Sequence, residues 1–280
     1  EIEAWYTREE WLQVLADMGT PLKGVLGIDL PASPRTAPTP RPTLRVRVYE
    51  ALLAHCDLPG SPTEGAIWLR DKKGITFETQ AVFGIAWLTD WQKADRELKT
   101  AFAADVLNSL GLLTEKGNLR FMSHRLIFPF WLTVGGRKSP VYVQARNIHA
   151  QDKGRFLRPG EPTPLPFNFD AVAQARAAGQ PVYMCEGETD TLTLAQSGRC
   201  VVGIVGAQGF KPDWAKHFEG LSVYTTRDSD EAGANFCRKV AQAFVAVGLP
   251  APKVIKLPPG QDVTDFFTGK ATKKTVMVTQ

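Results

Sequence analysis

Five acidic residues in two short clusters are the part of this sequence best suited to chemistry. Each cluster directly follows a short apolar run rich in β-forming residues, at 182–185 and at 221–226. A buried strand that ends in carboxylates is therefore predicted at both places. The five residues are Glu186, Glu188 and Asp190 in the first cluster, and Asp228 and Asp230 in the second.

The two strand ends predict a shared site. In an open parallel sheet the carboxyl ends of the strands border one crevice, so acids from separate strands can converge there on a hard cation that prefers oxygen ligands. Taken alone, each cluster is more typical of a solvated turn, because Asp and Gly are common turn residues. The order and spacing of the two clusters together favour a metal site.

The elements that must position these acids alternate between helix and strand after residue 169. Helices are predicted at 170–178, 190–196, 213–218 and 232–247, and strands at 182–185, 200–205, 221–226 and 253–257. This succession indicates an α/β fold with a parallel sheet and right-handed crossovers. Upstream, an α+β region is predicted, with helices at 44–56, 61–72 and 95–110 before a hairpin of strands at 125–131 and 141–146.

Prolines mark several boundaries in this scheme. Pro62 is predicted at the first position of its helix, which Gly74 ends, and Pro129 implies an edge or a bulge in its strand. Residues 31–42 contain too many prolines for a helix or a central strand, so residues 1–42 are predicted to form an amphipathic helix and an extended linker. Residues 269–280 are assigned to a C-terminal tail.

Composition excludes several classes of protein. The longest apolar runs are far shorter than the roughly 20 residues of a membrane span, and no signal peptide is visible, so a cytoplasmic location is expected. The four cysteines are widely spaced and form no Cys-x-x-Cys pair, which argues against a zinc site and a disulfide framework. Eight basic residues against one acid between Arg120 and Arg158 indicate a surface that binds a polyanion.

The acidic pattern resembles the TOPRIM domain of DnaG-type primases, topoisomerases and some nucleases. The resemblance rests on Glu-Gly-x-x-Asp at 186–190, a middle strand ending in Gly206, and Asp-x-Asp-x-Ala-Gly at 228–233. Segments at 74–76, 83–85, 111–113, 125–130, 145–146 and 155–165 extend the resemblance, in order, to the DnaG-type primase core over residues 45–268. The division implied is a basic subdomain at 43–168 and a TOPRIM subdomain at 169–268.

The sequence departs from that family in several places. No set of residues forms the zinc-binding domain that precedes the family's core, and Arg155 and Arg158 stand where Lys-Tyr-Leu-Asn is common. A lysine usual after the Thr-Pro-Leu-Phe segment is replaced at Asn168, and Ser123 lies near the place of an absent arginine. We expect these changes to affect binding of the template more than the catalytic reaction.

The resemblance implies a DNA-dependent RNA primase, which joins NTPs into short oligoribonucleotides on single-stranded DNA. Two Mg²⁺ or Mn²⁺ ions would assist attack of a 3′-hydroxyl on the α-phosphorus. We expect Asp228 and Asp230 to bind metal with Glu186, which the resemblance also offers as a base. Asp190 and Asp262 are second choices as ligands, whereas Glu188 and Glu231 are expected to be solvated neighbours.

The basic segment is expected to bind template or nucleotide phosphates through Arg125, Arg146, Lys153 and Arg155. Trp131, Tyr142 and Phe156 could stack on bases, although aromatic residues in strands more often belong to a core. A replicative helicase, separate or fused, is a further expected partner. Two alternatives stay open at this stage: a nucleic-acid-binding module without synthesis, or a TOPRIM nuclease, in a mobile element or a defence system.

Overall fold

The computed structural model describes residues 42–150, 154–160, 163–205, 210–227, 231–257 and 262–268. The N-terminal helix and most of the linker predicted at 1–42, and the tail at 269–280, lie outside these residues. The described helices are α1 Leu44–Leu53, α2 Glu64–Lys73, α3 Phe77–Phe83, α4 Trp91–Ala101, α5 Ala104–Ser109, α6 Ala171–Ala178, α7 Glu188–Gln196, α8 Pro212–Ala215, α9 Glu231–Ala246 and α10 Val263–Thr268. Short 3-10 turns follow at Arg120–Met122 and Lys216–Phe218.

In the described residues, eight strands form two four-stranded sheets, so the chain has a mixed α/β fold as predicted. The antiparallel sheet contains, in spatial order, β1 Ala86–Trp87, β2 Leu126–Val134, β3 Arg137–Arg146 and β4 Phe156–Leu157. The parallel sheet has the order β6-β5-β7-β8 and contains β5 Val182–Glu186, β6 Cys200–Ile204, β7 Val223–Arg227 and β8 Lys253–Lys256.

The hairpin of β2 and β3 confirms the interpretation of its turn and of its proline. Gly135 and Gly136 both have positive φ, which a two-residue hairpin turn of this kind requires. The register between the strands shifts at Phe130 and Trp131, beside Pro129. β1 pairs β2 only at Ile127 and Leu126, so Pro129 lies where β2 has no strand on its β1 side.

Three helix predictions were wrong in detail. Thr63 caps α2 and Glu64 is its first residue, so Pro62 precedes the helix and is not its first position. The helix predicted at 95–110 is two helices, because Phe102 has extended backbone angles of φ −134 and ψ 142 between α4 and α5. The short helix α3 was not predicted.

One hydrophobic core joins the two sheets. Phe130 of β2 and Phe167, in the segment that leads to α6, meet at a ring-centroid distance of 5.1 Å, and both belong to a core cluster that also contains Met184 and Val202 of the parallel sheet. Phe167 also exchanges two backbone hydrogen bonds with Gly203 of β6, of 2.8 and 2.9 Å. The opposite face of the antiparallel sheet packs on α1 and α4 in a second core. The antiparallel sheet is thereby held against the parallel sheet.

Candidate active site

The carboxyl end of β5 carries Glu186, and its neighbour β7 ends beside it. Met184 pairs with Thr225 in parallel register, so two residues further along each strand Glu186 and Arg227 reach the same edge of the sheet. Glu186 is exposed. Asp228 and Asp230 follow directly after β7 but lie outside the described residues. The topology therefore leads both predicted acidic clusters to neighbouring strand ends, while the carboxylate positions of the second cluster are not described.

The turn after Glu186 explains the glycine of the motif. Gly187 has φ 93 and ψ 168, a conformation that side chains with a Cβ essentially do not adopt. Its N–H donates to the carbonyl of Ile204 at 3.2 Å, and its own carbonyl accepts from Thr191 Oγ1 at 2.7 Å. These bonds fix the strand-to-helix turn, so Glu186 is held by backbone geometry on both sides.

The two acids chosen second are held by hydrogen bonds. Asp190, in the first turn of α7, is buried and accepts a hydrogen bond from Thr264 Oγ1 at 2.9 Å. Asp262 precedes α10, and its Oδ1 accepts from the backbone N–H of Asp265 at 2.6 Å. Thr264 thus links α7 to α10. Both acids are suited to orienting groups around Glu186.

Three arginines surround one aromatic ring on the side of the antiparallel sheet that faces α7. The guanidinium carbons of Arg146, Arg155 and Arg158 lie 5.0, 5.2 and 5.2 Å from the centroid of the Phe156 ring. We call these three residues the arginine cluster. Arg146 is also 4.6 Å from the ring of Trp68, so its guanidinium is sandwiched between two aromatic side chains.

Arg125 is placed differently. Its Nε donates to the carbonyl of Met122 at 3.2 Å, and its Nη1 donates to the carbonyl of Thr89 at 3.4 Å. Two of its donors are therefore used within the protein, and its described contacts do not include the arginine cluster. Lys153 lies outside the described residues. Their roles in phosphate binding stay predictions.

Glu188 is not the solvated neighbour that the sequence suggested. It is only 3% exposed, in the first turn of α7. Burial raises the pKa of its carboxyl to about 7, although its own backbone N–H and the charges of Arg158, Arg146 and Arg155 act in the opposite direction. Burial and Arg155 lower the pKa of Arg146, and Glu188 opposes that change. Sequence patterning missed Glu188 because its burial depends on how the antiparallel sheet packs on α7.

The three aromatic residues considered for base stacking can be placed. Tyr142 is fully buried and meets Phe130 edge to face at a centroid distance of 5.1 Å, so it belongs to the core. Trp131 donates its indole N–H to the carbonyl of Phe83 at 2.8 Å and carries Lys138 over its ring. Phe156 is half-buried within the arginine cluster.

The donor groups at this site determine whether it can hold divalent cations. Within the described residues, no three of the His, Cys, Asp and Glu side chains come close enough together to hold a metal ion. An exposed carboxylate at a strand end, such as Glu186, is the donor type that Mg²⁺ accepts. The described part therefore offers one suitable ligand, at the edge where the chain continues into Asp228 and Asp230.

A relative and a family model match this chain. The gene 57 protein of Mycobacterium phage D29 is 33% identical over 129 residues, which are 46% of this chain and 81% of that protein. A model described as Toprim-like matches residues 183–267. The chain belongs to the family of this phage protein and carries a Toprim-like domain. The matched residues include Glu186, Asp190 and Asp262, and span the positions of Asp228 and Asp230.

Solved structures give the fold of the whole described region. A DnaG primase catalytic domain bound to single-stranded DNA aligns with a TM-score of 0.64 at 17% identity, over 81% of this chain and 77% of that chain. A DNA primase domain from Pseudomonas aeruginosa aligns with a TM-score of 0.62 at 20% identity, over 80% of this chain and 74% of that chain. The Toprim-like domain therefore sits within the fold of the DnaG-type primase catalytic core, and the arginine cluster lies outside the Toprim match.

Proposed function

We propose that this Toprim protein is the catalytic core of a DNA-dependent RNA primase, which synthesises short oligoribonucleotides from NTPs on single-stranded DNA. The observation that carries the proposal is the juxtaposition of two unlike surfaces. An exposed carboxylate stands at the end of β5, and the arginine cluster lies near enough to the first turn of the helix that follows for its charges to act on Glu188. Nucleotidyl transfer needs carboxylates near the reacting phosphorus and cations that hold the flanking phosphates.

Each group then has a definite task. Glu186, with Asp228 and Asp230, would hold two Mg²⁺ or Mn²⁺ ions, which when bound lower the pKa of the attacking hydroxyl and stabilise the leaving pyrophosphate. Asp190, held by its hydrogen bond from Thr264 of α10, and Asp262, held by the backbone N–H of Asp265, would orient these ligands or their waters. Arg146 and Arg155 bind phosphate, since a planar guanidinium forms paired hydrogen bonds with phosphate oxygens.

A groove next to the arginine cluster provides a path for the template. Its volume is about 840 Å³, and Lys116, Arg120, His124, Trp91 and Phe156 are among the residues that line it. Cations that follow a backbone, with aromatic faces that accept any base, are the usual combination in proteins that hold single strands without sequence preference. The groove reaches Gly154, one residue before Arg155 of the cluster.

Membrane attachment through a spanning helix finds no support in the described residues. Among them, no helix combines the length and the apolar composition that a bilayer crossing demands.

Primer synthesis on assorted single-stranded templates tests the proposal directly. With labelled NTPs and Mg²⁺ or Mn²⁺, the wild-type chain should extend products, while Asp228→Asn with Asp230→Asn should lose about 100-fold or more of the rate. The matched control, Asp213→Asn with Glu219→Gln, removes two exposed acids that neither end β5 or β7 nor line the groove, and it should retain the rate. Added Mg²⁺ should raise the melting temperature of the wild type much more than that of the first variant.

The products distinguish the alternatives. Cleaved templates would identify a nuclease, and binding with neither extension nor cleavage would identify a nucleic-acid-binding module. A natural full-length protein that makes no product on any template with either metal would overturn the proposal.

A further inference from the structure

The arginine cluster poses an electrostatic problem for the fold. Arg146, Arg155 and Arg158 all lie 5.2 Å or less from the centroid of one ring, so their guanidinium groups are within about 10 Å of one another. Like charges at this separation repel, and burial of Arg146 strengthens the repulsion by excluding water. A compensating anion is needed to keep the three side chains together.

Glu188 is placed to be that anion. Arg158, Arg146 and Arg155 are the cations whose charges act on it, and it is in turn the acid that acts on Arg146. It belongs to the Toprim-like domain, whereas Arg146 is the last residue of β3 and Arg155 and Arg158 flank β4. The electrostatic interaction therefore acts between the antiparallel sheet and the first turn of α7, two residues from Glu186.

Hydrogen bonding around Glu188 is incomplete. Among the described residues, Glu188 Oε1, Arg146 Nε and Gln144 Nε2 are buried polar atoms without a hydrogen-bond partner. The other end of Gln144 accepts from Arg158 Nε at 3.0 Å. Buried polar groups left unpaired destabilise a fold, so a side chain that served stability alone would not be expected here. An acid in the first turn of a helix is favoured by the helix dipole. Because an exposed acid would serve equally well, this preference does not explain why Glu188 is buried.

We propose that Glu188 is a positioning residue, whose buried carboxylate aligns the guanidinium groups of the arginine cluster so that the phosphate bound by Arg146 and Arg155 is presented to Glu186. This inference rests on the proposed function of the same site. Glu188 touches neither the reacting atoms nor the metals. It acts through the arginines, and its effect belongs to the alignment of bound phosphate.

Glu188→Gln is the sharpest variant, because glutamine has nearly the same shape and lacks the charge. Binding of labelled single-stranded DNA and steady-state primer synthesis are both measured, at one alkaline pH. We expect kcat to fall about 10-fold, since the arginines move apart. The affinity for DNA should stay equal or increase, because the cluster gains one net positive charge. Glu219→Gln, which removes an exposed glutamate elsewhere in the Toprim-like domain, should leave both quantities unchanged.

A second substitution separates positioning from damage to the fold. Glu188→Gln combined with Arg158→Gln removes one charge of each sign, and we expect its kcat to exceed that of Glu188→Gln alone. Arg146 can also be followed without activity, because its guanidinium lies against Trp68. The Trp68 emission, obtained as the difference from the matching Trp68→Phe proteins, should shift in Glu188→Gln and return towards wild type in the double variant.

The outcomes are distinct. A wild-type protein that makes no primers overturns the proposed function. The Trp68 emission then tests the electrostatic interaction between Glu188 and Arg146 independently of activity. If the wild type is active and Glu188→Gln keeps its kcat and its Trp68 emission, the positioning role is wrong. If Glu188→Gln does not fold, Glu188→Asp keeps the charge on a shorter side chain. The proposal then requires a folded protein with reduced kcat, and an unchanged kcat in Glu188→Asp overturns it.

Discussion

At the scale of single residues, His217 gives the fold a dependence on pH. It is 5% exposed and its ring meets that of Phe169 edge to face at 5.3 Å. Burial lowers the pKa of His217 to about 4, and the charges of Arg176 and Lys216 act in the same direction. The folded protein disfavours the protonated His217 ring, whereas the unfolded chain does not. The contribution of neutral His217 to the free energy of unfolding is therefore complete above the unfolded pKa of about 6.5.

The expected result is a loss of folding free energy as pH falls from about 6.5 towards 4, reaching on the order of 3 kcal/mol from this residue. Urea unfolding of the wild type and of His217→Asn at several pH values measures it. The interval above pH 5 is the most informative, because most carboxyl groups contribute little there and Glu188, with its raised pKa of about 7, is present in both proteins. An equal dependence on pH in both proteins would contradict the assignment.

The residues of the site differ in how far sequence could predict them. The positions of Glu186 at a strand end and of Asp190 in the following helix were predictable, because a strand, a turn and two acids lie within a few residues of one another; their metal roles stay predictions. Glu188 has the same local signature, yet its environment is opposite to the one predicted, because the side chains that bury it come from residues far away in the chain. Local patterns report which residues end a strand, and packing between distant elements decides which of these residues meet solvent.

At the scale of elements, the turn from β5 to α7 should be sensitive to one methyl group. A Cβ on Gly187 would meet no atom within 4 Å, so Gly187→Ala creates no steric clash. It should destabilise the fold only because alanine disfavours a φ of 93. We expect a loss of about 1 to 3 kcal/mol of folding free energy, and a larger relative loss of primer synthesis, because Glu186 is the adjacent residue. Thermal unfolding and activity at a temperature where both proteins are folded measure the two effects.

Gly198→Ala is the matched control, at the other end of α7. Gly198 also has a positive φ, of 80, and a Cβ there would also meet no atom within 4 Å. This variant should lose stability while the folded protein retains its activity. Equal activity in the two variants would show that the conformation of Gly187 does not position Glu186.

The elements themselves were predicted where the pattern was strong. The alternation of helices and strands after residue 169 predicted the parallel sheet, because β5 and β6 are mostly buried and read as short apolar runs, although β8 at the edge is largely exposed. The break between α4 and α5 was missed because Leu98 and Val106 keep a helical spacing across it. The pairing of Phe167 with Gly203 was also missed, since a single bridge leaves no periodic signal.

At the scale of the whole molecule, α7 connects the two halves at both of its ends. Its first residue is Glu188, which faces the arginine cluster, and its last is Gln196. The Gln196 amide accepts from the backbone N–H of Thr76 at 2.8 Å and donates to the carbonyl of Gly74 at 3.0 Å. Any shift of the antiparallel region relative to α7 would disturb both contacts together. The arginine cluster proposed to bind phosphate and Glu186 at the strand end are thus held in fixed relative positions, as nucleotidyl transfer would require.

The groove makes the template side of this arrangement testable. Lys116 and Arg120 are exposed along it, and neither belongs to the arginine cluster. Lys116→Gln with Arg120→Gln should weaken binding of single-stranded DNA. It should also reduce the slope of log K against log salt by about 1.4, since each phosphate contact on a single strand contributes roughly 0.7. Fluorescence anisotropy of a labelled oligonucleotide across a salt series measures both.

A charge-matched control decides whether the groove or the net charge is responsible. Arg238→Gln with Lys239→Gln removes two exposed cations from α9, which does not line the groove. If DNA follows the groove, this variant keeps the wild-type slope, because only cations in contact with phosphate release counterions when DNA binds. An equal loss of slope in both double variants would place the strand elsewhere on the surface. In that case the arginine cluster and Glu186 would have to receive the template from another direction.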